Sequence, residues 1–217
     1  MLPENLSAED ALARLRMGNQ RYVQEVRSVQ AMLRRNPEPQ RPFATILGCS
    51  DSRAPAELVF DVGLGDLFVI RVAGNIVAPS LAGSVEFAAE HFGTRLVVVM
   101  GHTHCGAIDA TISSVLEDST GPGSPNLRSI VERVRPAIVG LIRSDLVRDR
   151  ERLRLEAMKA NVRASVSQLS HSSDLVEHLV AREGVRIIGA ALNLATGEVT
   201  SIDVDWPPPT TTVDRVR

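Results

Sequence analysis

The sequence predicts an α/β fold: an open, mostly parallel four-stranded sheet with an added antiparallel edge strand, flanked by helices and preceded by an N-terminal helical arm. Short, nearly continuous apolar runs recur along the chain, as expected for parallel strands that are buried on both faces. Segments with helical spacing of apolar residues separate these runs, and such alternation is typical of a parallel sheet. The 217 residues are 44% hydrophobic and 23% charged, which is the composition of a folded globular protein.

The arm begins with clear helix signals. Ser7 is a good N-cap, and Glu9 and Asp10 lie in the first turn, where acidic side chains face the positive end of the helix. This helix is expected to run over 7–26, with an apolar stripe that has few partners nearby in the sequence. Residues 27–41 are predicted to form a second short helix and then a proline-rich loop.

The rest of the chain is predicted to form the sheet, its helices and a tail. The strands are expected at 43–48, 67–72, 96–101 and 185–192, with a last strand that reaches Asp203 after a turn at Thr196-Gly197. The helices are expected at 80–92, 105–116, 127–141, 155–169 and 173–181. The predicted regions are a helical arm at 1–39, an α/β domain at 40–205 and an extended or disordered tail at 206–217.

Two helices carry more specific expectations. Pro136 is predicted to kink or restart the helix at 127–141, because proline removes a backbone donor from the helix interior. The polar segment 117–126 before this helix reads as a loop. The apolar stripe predicted for the helix at 155–169 consists of Leu155, Met158, Val162, Val166 and Leu169.

Charge and hydropathy exclude several classes of function. The formal net charge of −2 gives no basic field, so we expect no nucleic-acid partner. No apolar stretch approaches the ~20 residues that a membrane span needs. The N-terminus has neither the basic start nor the apolar run of a secretory signal, so we expect a cytoplasmic protein. The segment 63–66 lacks the third glycine of a dinucleotide loop and precedes a strand, not a helix.

Both cysteines of the chain lie in dense clusters of polar residues at the ends of predicted strands. Cys49 begins the run C-S-D-S-R, and Cys105 lies in the run G-H-T-H-C-G. Sites in open parallel sheets form beyond the carboxyl ends of the strands, so the two clusters are expected to meet. Two thiolates and the His102 imidazole make a zinc site with three protein ligands, and the open fourth position is typical of catalytic zinc. His104 is the alternative imidazole, but its side chain is expected to point away.

Other interpretations of the two cysteines are simpler. Either one alone is more often a small buried core residue, and together they could form a disulfide. In a chain without an export signal, metal binding or catalysis is favoured over a disulfide. A Cys-His nucleophilic pair would use one of the cysteines and leave Asp51 and Arg53 without a role.

Asp51 and Arg53 are the candidate catalytic pair. The simplest interpretation is a surface ion pair that contributes little to the stability of the fold. Two residues beyond a metal ligand, however, the carboxylate can accept a hydrogen bond from a zinc-bound water while Arg53 holds it in a bidentate pair. Asp51 is also close enough to bind zinc directly, as a fourth ligand in a closed state. Zinc lowers the pKa of its water to ~7, but two thiolates donate more charge than imidazoles, so activity is expected to favour mildly alkaline pH.

The motifs C-x-D-x-R at 49–53 and G-H-[ST]-x-C-G at 101–106 resemble the signature of β-class carbonic anhydrases, and the resemblance extends from about Gln40 to Asp203. It implies reversible hydration of CO₂ to bicarbonate and a proton by a zinc-bound hydroxide, which makes the chain a zinc lyase with a small-molecule substrate. It also implies a homodimer or a dimer of dimers (a homotetramer), in which N-terminal helices embrace the partner. The implied zinc ligands are Cys49, His102 and Cys105, and the implied catalytic pair is Asp51 and Arg53.

The substrate pocket of the family maps onto six residues of this chain. They are Gln40, Phe68, Ala73, Gly74, Phe87 and Gly106. Phe87 stands where plant-type members have tyrosine, which removes one hydroxyl, and Ala73 stands where some members have valine, which widens the pocket slightly. Gln40 and Phe87 are expected to meet across a subunit interface.

The resemblance also bears on regulation. A regulated bacterial subgroup binds bicarbonate at a second site through a tryptophan three residues before the first zinc cysteine, an arginine and a late tyrosine. Here Ile46 occupies the tryptophan position, Arg71 is kept, and the only tyrosine is Tyr22. We therefore expect no second bicarbonate site, and we expect Asp51 to pair with Arg53 instead of zinc near neutral pH.

Two alternative functions remain open at this point. The same zinc site serves hydrolases of CS₂ or COS among relatives of the family, and the sequence pattern does not separate these substrates. The chain could also be a non-catalytic zinc module that binds bicarbonate. The presence of both Asp51 and Arg53 argues against such a module, because binding alone needs no group that orients hydroxide.

Overall fold

A computed structural model describes residues 6–24, 39–117 and 123–203. Its centre is a sheet of five strands, ordered β2-β1-β3-β4-β5. The strands are β1 (Ala44–Gly48), β2 (Leu67–Arg71), β3 (Leu96–His102), β4 (Arg186–Leu192) and β5 (Val199–Ile202). The first four strands are parallel, and β5 pairs antiparallel with β4. The predicted sheet, including its antiparallel edge strand, is confirmed.

Helices flank the sheet. They are α1 (Ala8–Val23), α2 (Ala56–Val59), α3 (Pro79–Phe92), α4 (Gly106–Leu116), α5 (Pro125–Ile142), α6 (Arg150–Ser170) and α7 (Asp174–Arg182). Two 3₁₀ turns lie at Ala73–Asn75 and Asp145–Arg148. The predicted helix within 27–41 and the predicted tail at 206–217 lie outside the described residues, and the boundaries of the three regions stay predictions. Within the described ranges, no helix combines the length and apolar character that a membrane crossing requires.

The strands are continuously apolar because alternate residues face two separate cores. On one face, Leu47 and Val99 pack into a core that α3 to α7 cover. On the other face, Ile46 and Val98 pack against α1 and the segment 54–62. Each face of the sheet is therefore sealed, and the carboxyl ends of β1 and β3 are left side by side for the functional groups that follow them.

The helix α1 begins as predicted, since the Ser7 Oγ accepts a hydrogen bond from the Asp10 amide at 3.1 Å. Its apolar stripe packs on partners that are distant in the sequence but belong to the same chain, since Leu12 and Leu15 are buried against the sheet. The N-cap could be predicted from the sequence, but the packing partners of the stripe could not. Capping is a local property of the sequence, whereas the packing of a stripe depends on where distant strands lie.

One buried amide fixes the position of α1. The Asn19 Nδ2 donates to the carbonyls of Val59 at 2.9 Å and Gly197 at 2.8 Å. The Asn19 Oδ1 accepts from the Val199 amide at 2.9 Å. Asn19 therefore joins α1 to the end of α2 and to the turn between β4 and β5.

Two predicted details of the helices are wrong. α5 continues through Pro136, which is exposed, without the predicted restart, and the predicted kink stays a prediction. On α6, Leu155 is exposed. The buried face of α6 instead consists of Leu153, Ala157, Met158, Asn161, Val162, Ser165 and Leu169, so two polar residues belong to it.

The close approach of α1 to the segment after α2 leads to a stability prediction. A Cβ added to Gly18 would lie 1.6 Å from the Phe60 carbonyl oxygen, whereas nothing lies within 4 Å of a Cβ at Gly140 on α5. Both glycines are helical, so Gly→Ala is intrinsically favourable by about 1 kcal/mol at either position. We expect Gly18→Ala to lower the free energy of unfolding by about 1–3 kcal/mol through overpacking, and Gly140→Ala to leave it unchanged or raise it. Urea unfolding of the two variants measures this difference, and equal stabilities would contradict the close approach.

Candidate metal centre

Two adjacent parallel strands bring the predicted metal ligands together. Gly48 at the end of β1 lies opposite Met100 on β3, so Cys49 emerges level with the end of β3, where His102 lies. The ligand atoms of Cys49, His102 and Cys105 all lie within 4.8 Å of one another, and all three residues are buried. The two cysteines are free, with 4.0 Å between their sulfur atoms, so the alternative of a disulfide is not what the structure shows.

The ring of His102 has the orientation that a metal ligand needs. Its Nδ1 lies 2.9 Å from the Thr103 carbonyl oxygen, so Nδ1 carries the proton and Nε2 keeps its lone pair. The Nε2 atom is buried and has no hydrogen-bond partner in the described part of the chain. Buried polar atoms are rarely left unpaired, and a bound metal ion would supply the missing partner. His104, the alternative imidazole, is exposed and does not belong to this group of three.

The sulfur atoms lie among hydrogen-bond donors. The Gly74 amide lies 3.4 Å from the Cys49 sulfur, and Cys105 is the N-cap of α4. The pKa of Cys49 is lowered, first because the Cys105 thiol donates a hydrogen bond to its sulfur and also because the Gly74 amide does so. Because the thiolate is the form that binds metal, this environment prepares Cys49 as a ligand.

Asp51 and Arg53 form a bidentate pair beside these three residues. The Arg53 Nε donates to Oδ1 of Asp51 at 2.9 Å, and its Nη2 donates to Oδ2 at 2.7 Å. The backbone amide of Arg53 also donates to Oδ1 at 3.0 Å. These bonds hold the pKa of Asp51 well below its usual range, so the carboxylate is ionised at neutral pH. The Oδ2 atom lies 3.9 Å from the His102 Nε2, which places the paired carboxylate next to the candidate ligands.

Arg71 holds the segment that carries Cys49 and Asp51. Its Nε donates to the Cys49 carbonyl at 3.0 Å, and its Nη2 donates to the Asp51 carbonyl at 2.6 Å. Sequence reasoning noted Arg71 only through the resemblance and missed these contacts. The structure shows the reason for these contacts, because the register of β1 and β2 places Arg71 opposite Gly48, one residue before Cys49.

Some of the six predicted pocket residues lie beside the candidate ligands, and others lie at the surface of the chain. Gly74 is buried against Cys49, and Ala73 is half-buried in the same turn. Gly106 is the exposed first residue of α4. Phe68 packs near Phe87, with ring centroids 6.0 Å apart.

The remaining pocket residues lie at the surface of this chain. Phe87 is 43% exposed and stacks on His91 at 4.0 Å. Gln40 is exposed in the segment before β1. Their predicted meeting across a subunit interface stays a prediction, as does the absence of a second bicarbonate site. Ile46, at the position of the tryptophan, is fully buried on the face of the sheet that α1 covers.

Comparison with known proteins identifies related sequences. A family model described as carbonic anhydrase matches residues 44–199. The chain is 39% identical over 189 residues to a carbonic anhydrase of Mycolicibacterium smegmatis, which covers 85% of this chain and 88% of that protein. It is 36% identical over 169 residues to carbonic anhydrase 2 of Mycobacterium tuberculosis, with 76% of each chain covered.

Solved structures share the fold. A β-carbonic anhydrase of Aspergillus fumigatus matches with a TM-score of 0.69 and 24% identity, covering 92% of this chain and 91% of that chain. One of two tetrameric β-carbonic anhydrases from Sordaria macrospora matches with a TM-score of 0.66 and 23% identity, covering 76% of this chain and 83% of that chain. At these identities the likeness shows the fold, and it agrees with the sequence relationships.

Proposed function

Because this chain belongs to the β-class carbonic anhydrase family and is an enzyme of that family, we propose that it catalyses the reversible hydration of CO₂ to bicarbonate and a proton at the cluster of Cys49, His102 and Cys105. One observation carries the proposal. The Asp51 carboxylate lies 3.9 Å from the free nitrogen of His102 and is held in place by Arg53. An ionised, oriented acceptor beside three metal-competent donors suits a reaction in which water must lose a proton.

We infer that the cluster binds Zn²⁺. Two sulfur atoms and one imidazole nitrogen within 4.8 Å of one another match the donors of a three-ligand zinc site. The Nε2 of His102, which has no hydrogen-bond partner among the described residues, is the nitrogen that would bind the ion. When bound, zinc lowers the pKa of a coordinated water to ~7 and so supplies hydroxide at neutral pH.

Asp51 is proposed to orient the attacking oxygen. In the described residues, its Oδ1 takes two donors from Arg53 and its Oδ2 takes one, and a carboxylate has about four acceptor positions. Oδ2, which faces His102, therefore keeps the capacity to accept a hydrogen bond from the reacting O–H group. Because the pKa of Asp51 is depressed, this carboxylate accepts a hydrogen bond at neutral pH without itself taking the proton.

The related sequences and the Asp51–Arg53 pair favour CO₂ hydration over the alternative functions. The relatives at 39% and 36% identity over most of the chain are both named carbonic anhydrases, whereas hydrolysis of CS₂ or COS rests on the shared zinc chemistry alone. The Asp51–Arg53 pair, bonded through two side-chain contacts, argues against a non-catalytic bicarbonate-binding module. A cytoplasmic location stays a prediction.

Stopped-flow measurement of CO₂ hydration, with CS₂ and COS hydrolysis assayed on the same zinc-loaded sample, tests the proposed function. We expect rapid hydration that rises towards mildly alkaline pH and little turnover of the sulfur compounds. Turnover of CS₂ or COS without CO₂ hydration would reassign the substrate. Zinc binding without any turnover would favour the binding module.

We propose that the enzyme is a homo-oligomer, either a dimer or a dimer of dimers. The packing of α1 within its own chain removes one argument for this state, but Phe87 remains a large aromatic side chain that is 43% exposed. The Sordaria macrospora neighbour is described as tetrameric. Sedimentation at micromolar concentration is expected to give a dimer or a larger assembly, and Phe87→Ala is expected to weaken it. A fully active monomer would contradict the proposal.

A further inference from the structure

We propose that Asn161 on α6 is a positioning residue that controls how strongly the Cys49 sulfur donates charge to the metal, by fixing through its carbonyl the residue Gly74, whose amide faces that sulfur. The inference rests on the proposed function, because it requires a metal ion bound to Cys49. It assigns a role in the reaction to a helix that supplies none of the candidate ligands.

The turn that carries Gly74 has an unusual backbone. Gly74 has a φ of +71°, and a Cβ there would lie 3.0 Å from the Ala107 Cβ, so the position requires glycine. The next residue, Asn75, has a φ of +42°, in the left-handed region that asparagine tolerates better than most residues other than glycine. Such a backbone persists only where surrounding groups hold it in place. The Gly74 amide, which lies 3.4 Å from the Cys49 sulfur, is therefore positioned from outside the turn.

Two side chains of α6 hold this turn. The Asn161 Nδ2 donates to the Gly74 carbonyl at 2.8 Å, and the Ser165 Oγ donates to the Asn75 carbonyl at 3.0 Å. The two residues are four positions apart, so they lie on the same face of the helix. Both are almost fully buried, at 2% and 3% exposure. A buried polar side chain is tolerated only with a hydrogen-bond partner, and the two carbonyls of the turn are those partners.

The two contacts differ in what they control. Asn161 holds Gly74 itself, whose amide faces the sulfur, whereas Ser165 holds the residue after it. An amide that donates to a thiolate draws electron density away from the sulfur, so the sulfur donates less charge to a bound metal. Groups that hydrogen-bond to a metal ligand without binding the metal themselves change the affinity and reactivity of the metal. In a site with two thiolates, weaker donation leaves the metal a stronger electrophile and its bound water more acidic.

The test compares Asn161→Leu with Ser165→Ala, since each removes one buried hydrogen bond between α6 and the turn. With Co²⁺ in place of zinc, we expect Asn161→Leu to shift the thiolate-to-cobalt charge-transfer band to longer wavelength, because the sulfur becomes a stronger donor. We expect kcat/KM for CO₂ of the zinc enzyme to fall by about 10-fold, which is the lower end of the effect of removing a group that hydrogen-bonds to a metal ligand. Ser165→Ala is expected to leave the band in place and to change kcat/KM far less.

A second variant and a second measurement keep the test decisive. Asn161→Ser retains a polar group that is too short to reach Gly74 directly, so it serves if Asn161→Leu does not fold. In the zinc-loaded protein, the Gly74 amide proton resonance should move upfield in the Asn161 variants and not in Ser165→Ala. An unchanged band and resonance in the Asn161 variants, or equal shifts in Ser165→Ala, would overturn the proposal. Absence of any thiolate-to-cobalt band in the unmodified protein would instead remove the metal site, and the inference with it.

Discussion

Cys105→Ser is expected to lose most of the bound zinc and, with it, CO₂ hydration. The serine hydroxyl stays protonated at neutral pH, so it cannot replace the thiolate that Cys105, whose sulfur lies 4.0 Å from that of Cys49, would supply to a bound zinc ion. Loss of a direct ligand is expected to weaken zinc binding by more than the ~10–100-fold that is typical for loss of an outer partner. Metal analysis of the purified variant, together with stopped-flow hydration rates, measures both effects.

His104→Ala is the matched control for this prediction. His104 is adjacent to Cys105 in the sequence, but it is exposed and does not belong to the group of three candidate ligands. We expect the control to keep its zinc and most of its activity. Full zinc occupancy in Cys105→Ser would remove Cys105 from the site, and zinc loss in His104→Ala would bring the alternative imidazole back into the site.

Asp51→Asn and Arg53→Ala are expected to keep zinc but to lose most of the hydration activity. Positioned groups of the active site that handle protons contribute roughly 10²–10⁴-fold, and we expect loss of the orienting role of Asp51 to fall in this range. Asparagine has the shape of aspartate without its charge, so it loses the two charge-assisted bonds to Arg53. In Arg53→Ala the carboxylate remains but is no longer held away from the metal.

The pH dependence separates these variants from a general loss of structure. The pKa of Asp51 is depressed, so the carboxylate is ionised at and above neutral pH and would be protonated only in strong acid. Its titration therefore cannot set the rise of activity towards mildly alkaline pH. Asp51→Asn should lower the plateau of kcat without removing that rise, and Arg53→Lys, which keeps the charge but not the planar fork, should be intermediate. Near-wild-type rates in both Asp51→Asn and Arg53→Ala would falsify the proposed roles.

The sheet and the grouping of the candidate ligands could be predicted from the sequence because their signals are local. Each parallel strand is a short apolar run, and the two cysteines directly follow or lie near the ends of β1 and β3. The shared position then follows from the rule that the carboxyl ends of parallel strands meet at one edge. The turn at Ala73–Asn75 and the helix α2 were missed, because three or four residues are too few to show a helical period.

The buried face of α6 could not be predicted from apolar spacing. The predicted stripe included Leu155, which is exposed, and omitted Asn161 and Ser165, which are buried. A polar residue interrupts an apolar pattern, and only the position of its partner decides whether it lies inside. Here the partners are carbonyls in a turn 87 and 90 residues earlier in the chain, so tertiary packing outweighs the pattern.

The assembly of this site from two strand ends also links metal capture to the kinetics of folding. Cys49 and Cys105 are 56 positions apart, and β2 and α3 lie between them in the sequence. The ligands can meet only after β1 and β3 have paired. Long-range parallel pairing is intrinsically slow, because the entropy of loop closure is lost before the non-local contacts form. We therefore expect the rate of zinc uptake during refolding to report when the central sheet forms. It should follow that step in time, and bound metal should then retard unfolding by stabilising the native state alone.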